Sequence, residues 1–105
     1  MIRHVVMWKL KDEAEGASRK KNAEKMKLIL EGLKINIEEI KNVEVGINIV
    51  KEENEDSAFD VVLISDFETE LDYTMYTRNV HYKKAMAFIN SVTDKWFFVD
   101  YKVDI

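Results

Sequence analysis

Two histidines and a pair of tyrosines carry the acid–base chemistry this chain can offer near neutral pH. An imidazole titrates in that range and can take a proton from a carbon beside a carbonyl group. His81 is the candidate for that base. Tyr76 or Tyr82 is the candidate donor to the enolate oxygen that would form. His4 is placed to orient one of these groups, and with Trp8, Asn79 and Phe88 it makes a candidate ligand-binding set. Each assignment has a plainer counterpart. His81 reads equally as a surface or capping residue near a helix start, and His4 as a buried imidazole bonded to a neighbour. Tyr76 and Tyr82 stand six positions apart and are not neighbours on one helix. They converge only if the helix breaks near Asn79.

The rest of the composition narrows the chemistry further. There is no cysteine, which excludes disulfides, thiol nucleophiles and thiolate-bound metals. No carboxylate sits at a recognised metal spacing beside either histidine, and no glycine-rich phosphate loop is present, so no metal and no cofactor are expected. The net charge is −4 with acids and bases interspersed, and the short basic run Arg19-Lys20-Lys21 reads as the wet face of a helix. Nucleic acid is therefore not an expected partner. The apolar stretches fall well short of a membrane span, and residues 1–8 lack the features of a signal peptide, so a cytoplasmic protein is expected.

A chain of 105 residues has room for one domain, 1–105. Ile2–Leu10, β-branched and aromatic, predicts a strand. Lys11–Ala17 reads as a polar connection holding Gly16, and Ser18 as the cap of a helix running to about Lys34. Ala23, Met26, Leu30, Leu33 and Ile37 form its apolar stripe. Asn36–Asn42 reads as a turn or single helical turn. Val43, Val45, Ile47 and Ile49 alternate with polar residues as a half-buried strand does. The polar run 51–57 reads as the loop of a hairpin and the one candidate for disorder, with Phe59–Phe67 as the partner strand. Thr69 and Asp72 have capping-box spacing at the start of a helical stretch that runs to about Val92. Trp96–Val103 predicts the last strand. Trp8, Trp96, Phe97, Phe98, Met26, Met75 and Met86 are expected in core or pocket wall.

The order β-α-β-β-α-β is ferredoxin-like, an α+β fold with both helices on one face of an antiparallel sheet. The opposite face should then be polar. Here it is not: Val5 and Met7 oppose Val6 and Trp8, Val62 and Ile64 oppose Val61 and Leu63, and Phe97 and Val99 oppose Trp96 and Phe98. Leaving five to seven such side chains in water forfeits roughly 1.5–3 kcal/mol each. A two-fold homodimer packing sheet on sheet, a dimeric α+β barrel, removes that cost.

The runs Met1–Asp12, Val43–Asn48 and Phe98–Tyr101, in this order and spacing over essentially the whole chain, resemble the stress-responsive dimeric A/B barrel family. The resemblance implies a dimer whose two sheets form a barrel. It also implies a pocket that in one plant branch, the polyketide cyclases, is lined by a tyrosine and histidines and closes a ring by an intramolecular aldol step. Relatives carry Tyr-x-x-His-Pro-x-His where this chain has Tyr76-Thr77-Arg78-Asn79-Val80-His81-Tyr82. Tyr76 matches the tyrosine and His4 the first-strand histidine. Asn79 and Tyr82 stand in place of the motif histidines, Val80 in place of the proline, and His81 is displaced by one position, about 100° around a helix. The cyclase activity therefore does not carry over.

Three readings stay open at this level: a dimer that binds a small apolar ligand without catalysis, a cyclase- or isomerase-like enzyme on a carbonyl substrate using His81 and Tyr76 or Tyr82, and a cofactor-free or haem-degrading monooxygenase. The last rests only on the shared barrel.

Overall fold

The computed structural model describes residues 1–50 and 57–104. Of the polar run 51–57, all but Ser57 lies outside the described residues.

β1 spans Ile2–Leu10 as expected. Its residues alternate, with His4, Val6, Trp8 and Leu10 buried under the helices. The connection after it is more ordered than a polar loop. Glu13–Ala14 (β2) and Ala17–Ser18 (β3) form a small hairpin. Its two turn residues, Glu15 and Gly16, both have positive φ, 53° and 74°, the geometry that suits a two-residue hairpin turn. The Asn22 side chain donates to the carbonyls of Ala14 and Ala17 and ties the hairpin to the next helix.

That helix, α1, spans Arg19–Asn36, with the Ser18 hydroxyl accepting from the Lys21 amide at 3.3 Å. The expected stripe of Ala23, Met26, Leu30, Leu33 and Ile37 is buried throughout. β4 spans Ile40–Ile47, starting ahead of Val43 and ending before Ile49. The earlier start has a packing reason: Ile40 is buried and pairs with Phe67, across an irregularity between Ile40 and Asn42. β5 spans Val61–Phe67, beginning after Phe59.

α2 (Glu70–Arg78) is capped by Thr69, whose hydroxyl accepts from the Asp72 amide at 3.1 Å. α3 spans Val80–Val92. Asn79 separates the two helices in an extended conformation, φ −68° and ψ 139°. It serves both: its amide donates to the Tyr76 carbonyl at 3.1 Å, and its side-chain oxygen accepts from the His81 amide at 2.8 Å. β6 spans Thr93–Lys102, starting three residues earlier than the aromatic run implied. The backbone of Lys11 donates to Val92, so the end of α3 is held beside the end of β1.

The four long strands form one antiparallel sheet in the order β4-β5-β1-β6, the ferredoxin-like arrangement. The helices cover one face. On the other, Met7, Phe97, Val99 and Tyr101 are exposed and Val5, Val62 and Ile64 half-buried, as the double-sided apolar pattern anticipated. No helix among the described residues is long and apolar enough to cross a membrane.

One polar network interrupts that open face. Arg3 donates from Nε and Nη2 to Asp66 at 2.8 and 3.1 Å, and Asn42 adds a third bond at 3.3 Å. The Arg3 hydrogen bonds hold the Asp66 carboxyl below the usual carboxylate range, against the opposing effect of burial. A depressed folded-state pKa gives stability that is present above the unfolded value, near 4, and lost as pH falls through the folded one. Wild-type stability should therefore decline below about pH 4. Asp66→Asn should be less stable at pH 7, by about 2 kcal/mol for the lost charge-assisted bonds, and flatter through that acid range. Urea unfolding at a series of pH values checks both, and parallel curves for the two proteins would count against the assignment.

Candidate functional site

Between side chains of α2 and α3 and those of β1 and β6 lies a cavity of about 560 Å³. The register between β1 and β6 builds its floor: His4 faces Asp100, Val6 faces Phe98, and Trp8 faces Trp96. Partners in an antiparallel pair project to the same face, so these three rows line one side of the sheet. α3 supplies the roof with Tyr82, Met86 and Asn90, spaced at successive turns, and places Lys83 and Ala87 beside them. α2 adds Tyr73 and Tyr76, one turn apart.

The two lengths agree. Four residues of strand from His4 to Trp8 cover about 13 Å. Eight residues of helix from Tyr82 to Asn90 cover about 12 Å. Because Val92 is held at Lys11, Asn90 lies at the Trp8 end and Tyr82 at the His4 end. The cavity is a slot with a polar, phenol-rich end and an aromatic end.

At the polar end His4 is buried and its Nδ1 is hydrogen-bonded to Asp100 Oδ1. A carboxylate only accepts, so Nδ1 is the donor in this bond, and in the neutral ring Nε2 keeps the lone pair. The ring is flanked by Tyr73 and Tyr76 at centroid distances of 5.1 and 6.4 Å. Burial first, then the charge and hydrogen bond of Asp100, push the Tyr73 hydroxyl above its ordinary range. Burial does the same for Tyr76 and Tyr82. All three phenols stay protonated at neutral pH; Tyr73 gives its one hydrogen to Asp100, which leaves Tyr76 and Tyr82 to donate to an oxygen. The arrangement pairs one imidazole base, oriented by a carboxylate, with neutral donors at the end of an apolar chamber.

Of the residues singled out from sequence, His4, Trp8, Tyr76 and Tyr82 line this cavity. The break at Asn79 brings the Tyr76 and Tyr82 rings to 4.7 Å. His81, Asn79 and Phe88 do not line it. His81 is exposed and borders a shallow groove with Leu28, Gly32 and Asn36 of α1, because one residue of helix turns it about 100° from Tyr82. Asn79 uses its side chain to cap α3. Phe88 faces α1, with the Lys25 ammonium 4.3 Å from its ring centre. Tyr73 and Asp100 were missed. Tyr73 shows its place only by the one-turn spacing to Tyr76, and Asp100 only by its alternation with Phe98 and Trp96. Directly across from His4 on the other side, Ser65 keeps a buried hydroxyl without a hydrogen-bond partner among the described residues.

A family model described as the stress responsive A/B barrel domain matches residues 2–103. Among solved structures, a dimeric protein of unknown function with a ferredoxin-like fold from Bacteroides fragilis superposes with a TM-score of 0.79 at 23% identity, covering 97% of this chain and 95% of that one. A protein from Arabidopsis thaliana gives 0.79 at 23% identity, covering 100% and 97%. A hydroxynitrile lyase from Passiflora edulis gives 0.79 at 15% identity, covering 98% and 93%. At these identities the likeness is one of fold. No curated protein matches the chain.

Proposed function

The chain belongs to the stress-responsive A/B barrel domain family, and from that premise we propose that it works as a homodimer, each copy binding a small, mainly apolar carbonyl compound in its cavity, where His4 moves a proton at the carbon beside the carbonyl. The observation that carries this reading is the His4–Asp100 pair at the phenol-lined end of an otherwise apolar slot. Val6, Trp8, Leu63, Met86 and Phe98 suit an apolar body, and a few convergent polar groups at one end suit its oxygen. In the proposed step Nε2 of His4 takes the proton while Asp100 steadies the imidazolium. The protonated phenols of Tyr76 and Tyr82 donate to the oxygen as it gains negative charge. Proton handling thus passes from His81 to His4. The fold of a hydroxynitrile lyase supports only that such a barrel can house a reaction. The open apolar sheet face, and neighbours described as dimeric, support the homodimer.

The test is deuterium incorporation from solvent into a panel of ketones, followed by NMR. Wild type and His81→Ala should exchange the hydrogens next to the carbonyl at similar rates, and His4→Gln should lose at least about 100-fold. Equal rates for wild type and His4→Gln would overturn the proton-transfer step. Tight binding without exchange would instead favour a carrier, a reading that the apolar walls support by themselves.

A further inference from the structure

We infer that the molecule taken by this cavity carries an aromatic ring, seated at the Trp8–Trp96 end while its carbonyl meets His4. The inference deepens the reading above and rests on it. Both tryptophans of the chain line the same slot, facing each other across β1 and β6. Trp8 is packed into the core at 4% exposure, whereas Trp96 is 55% exposed and Phe98 beside it 63%. These two aromatic surfaces lie on the helix-covered side of the sheet, yet the helices leave them open. They therefore differ from Phe97 and Val99, which project to the opposite face.

The chemistry of this end is that of an aromatic seat. Met86 lies on α3 one turn beyond Tyr82, and its thioether is flexible and polarisable against a ring edge. Trp96 and Phe98 give a ring offset-stacked or edge-on partners. Asn90 closes that end with an amide and no charge. A saturated chain would fill the same space but would gain only its burial. A ring adds a contact worth up to about tenfold in affinity. The slot length of about 13 Å leaves room for a ring joined to a carbonyl through a short linker.

The test compares two methyl ketones of equal carbon count, 4-phenyl-2-butanone and 2-decanone. Binding to the protein is followed by tryptophan fluorescence and by calorimetry, with solvent-deuterium exchange measured on both compounds. The saturated ketone is the more apolar of the two, so burial alone favours it. The expected result is the reverse: the phenyl compound binds tighter, by less than the roughly tenfold that one ring contact can add. Trp96→Leu should then cost the phenyl ketone more than 2-decanone, bringing the two to within about twofold. Trp96 is half exposed, so this variant should fold, and Phe98→Leu provides an independent second variant. Equal affinities, or tighter binding of 2-decanone, overturn the aromatic seat. Exchange of both ketones without ring preference overturns the seat and leaves proton transfer standing. Ring preference without exchange of either ketone keeps the seat and removes proton transfer.

Discussion

Replacing Phe97 by aspartate is expected to turn the protein into a monomer while each chain keeps its fold. Phe97 projects from β6 on the face opposite the helices and is 62% exposed in a single chain. Its ring meets Phe59 at 5.6 Å, and its cross-strand partner is Met7. In one chain a carboxylate at this position stays solvated, so the variant loses little beyond that aromatic contact. In a dimer closed over this face the same carboxylate must be stripped of water among Val5, Met7, Val62, Ile64 and Val99. Burying an unpaired charge costs several kcal/mol, which corresponds to a dissociation constant raised by about a thousandfold or more. Sedimentation velocity across a concentration series reads the association, and circular dichroism reads the fold. A variant that still sediments as a dimer at low micromolar concentration would show that the partner docks elsewhere.

The second apolar face of the sheet was legible in the sequence because strand alternation is a local signal. Val5 and Met7 against Val6 and Trp8, or Phe97 and Val99 against Trp96 and Phe98, show two apolar faces without any knowledge of which strands pair. The stripe of α1 was readable for the same reason. The hairpin at Glu13–Ser18 was not, since two-residue strands carry no alternation and the positive φ of Glu15 belongs to a residue type that seldom adopts it. The early start of β4 was hidden because the place of Ile40 is fixed by its meeting with Phe67, a contact set by tertiary packing.

The lining of the cavity was half legible on similar grounds. Tyr76 and Tyr82 were found because their convergence depends on one local event, the break at Asn79. His81 was assigned by nearness to that motif, but a single residue of helix carries it to the far side of α3. Asp100 could not be paired with His4 from sequence, because 96 residues separate them and only the register of β6 on β1 joins them. Tyr73 follows the same rule, since its meeting with Asp100 is set by tertiary packing.

That hidden pair gives the second large effect. Asp100→Asn is expected to slow ketone exchange by about 100- to 1000-fold while leaving ketone binding within about twofold. The substitution keeps the volume and can still offer an oxygen to His4 Nδ1, so the apolar walls and the ring position survive. What it removes is the negative charge that favours an imidazolium, and the cost appears only as the proton reaches Nε2. An amide can also turn its NH₂ towards Nδ1, which would favour the tautomer with its lone pair on the wrong nitrogen. Tyr73 supplies an independent readout. Its hydroxyl is held up first by burial and then by Asp100, so loss of the carboxylate should lower its titration while burial keeps it above the ordinary tyrosine range. Ultraviolet titration of tyrosinate in the two proteins, each set against its Tyr73→Phe variant, assigns the change to Tyr73. A fall in Tyr73 titration with unchanged exchange would mean that the carboxylate sits beside the phenol as expected but takes no part in proton transfer. Loss of exchange together with the titration shift ties both residues to one charged centre, with His4 as the group that acts on the ligand.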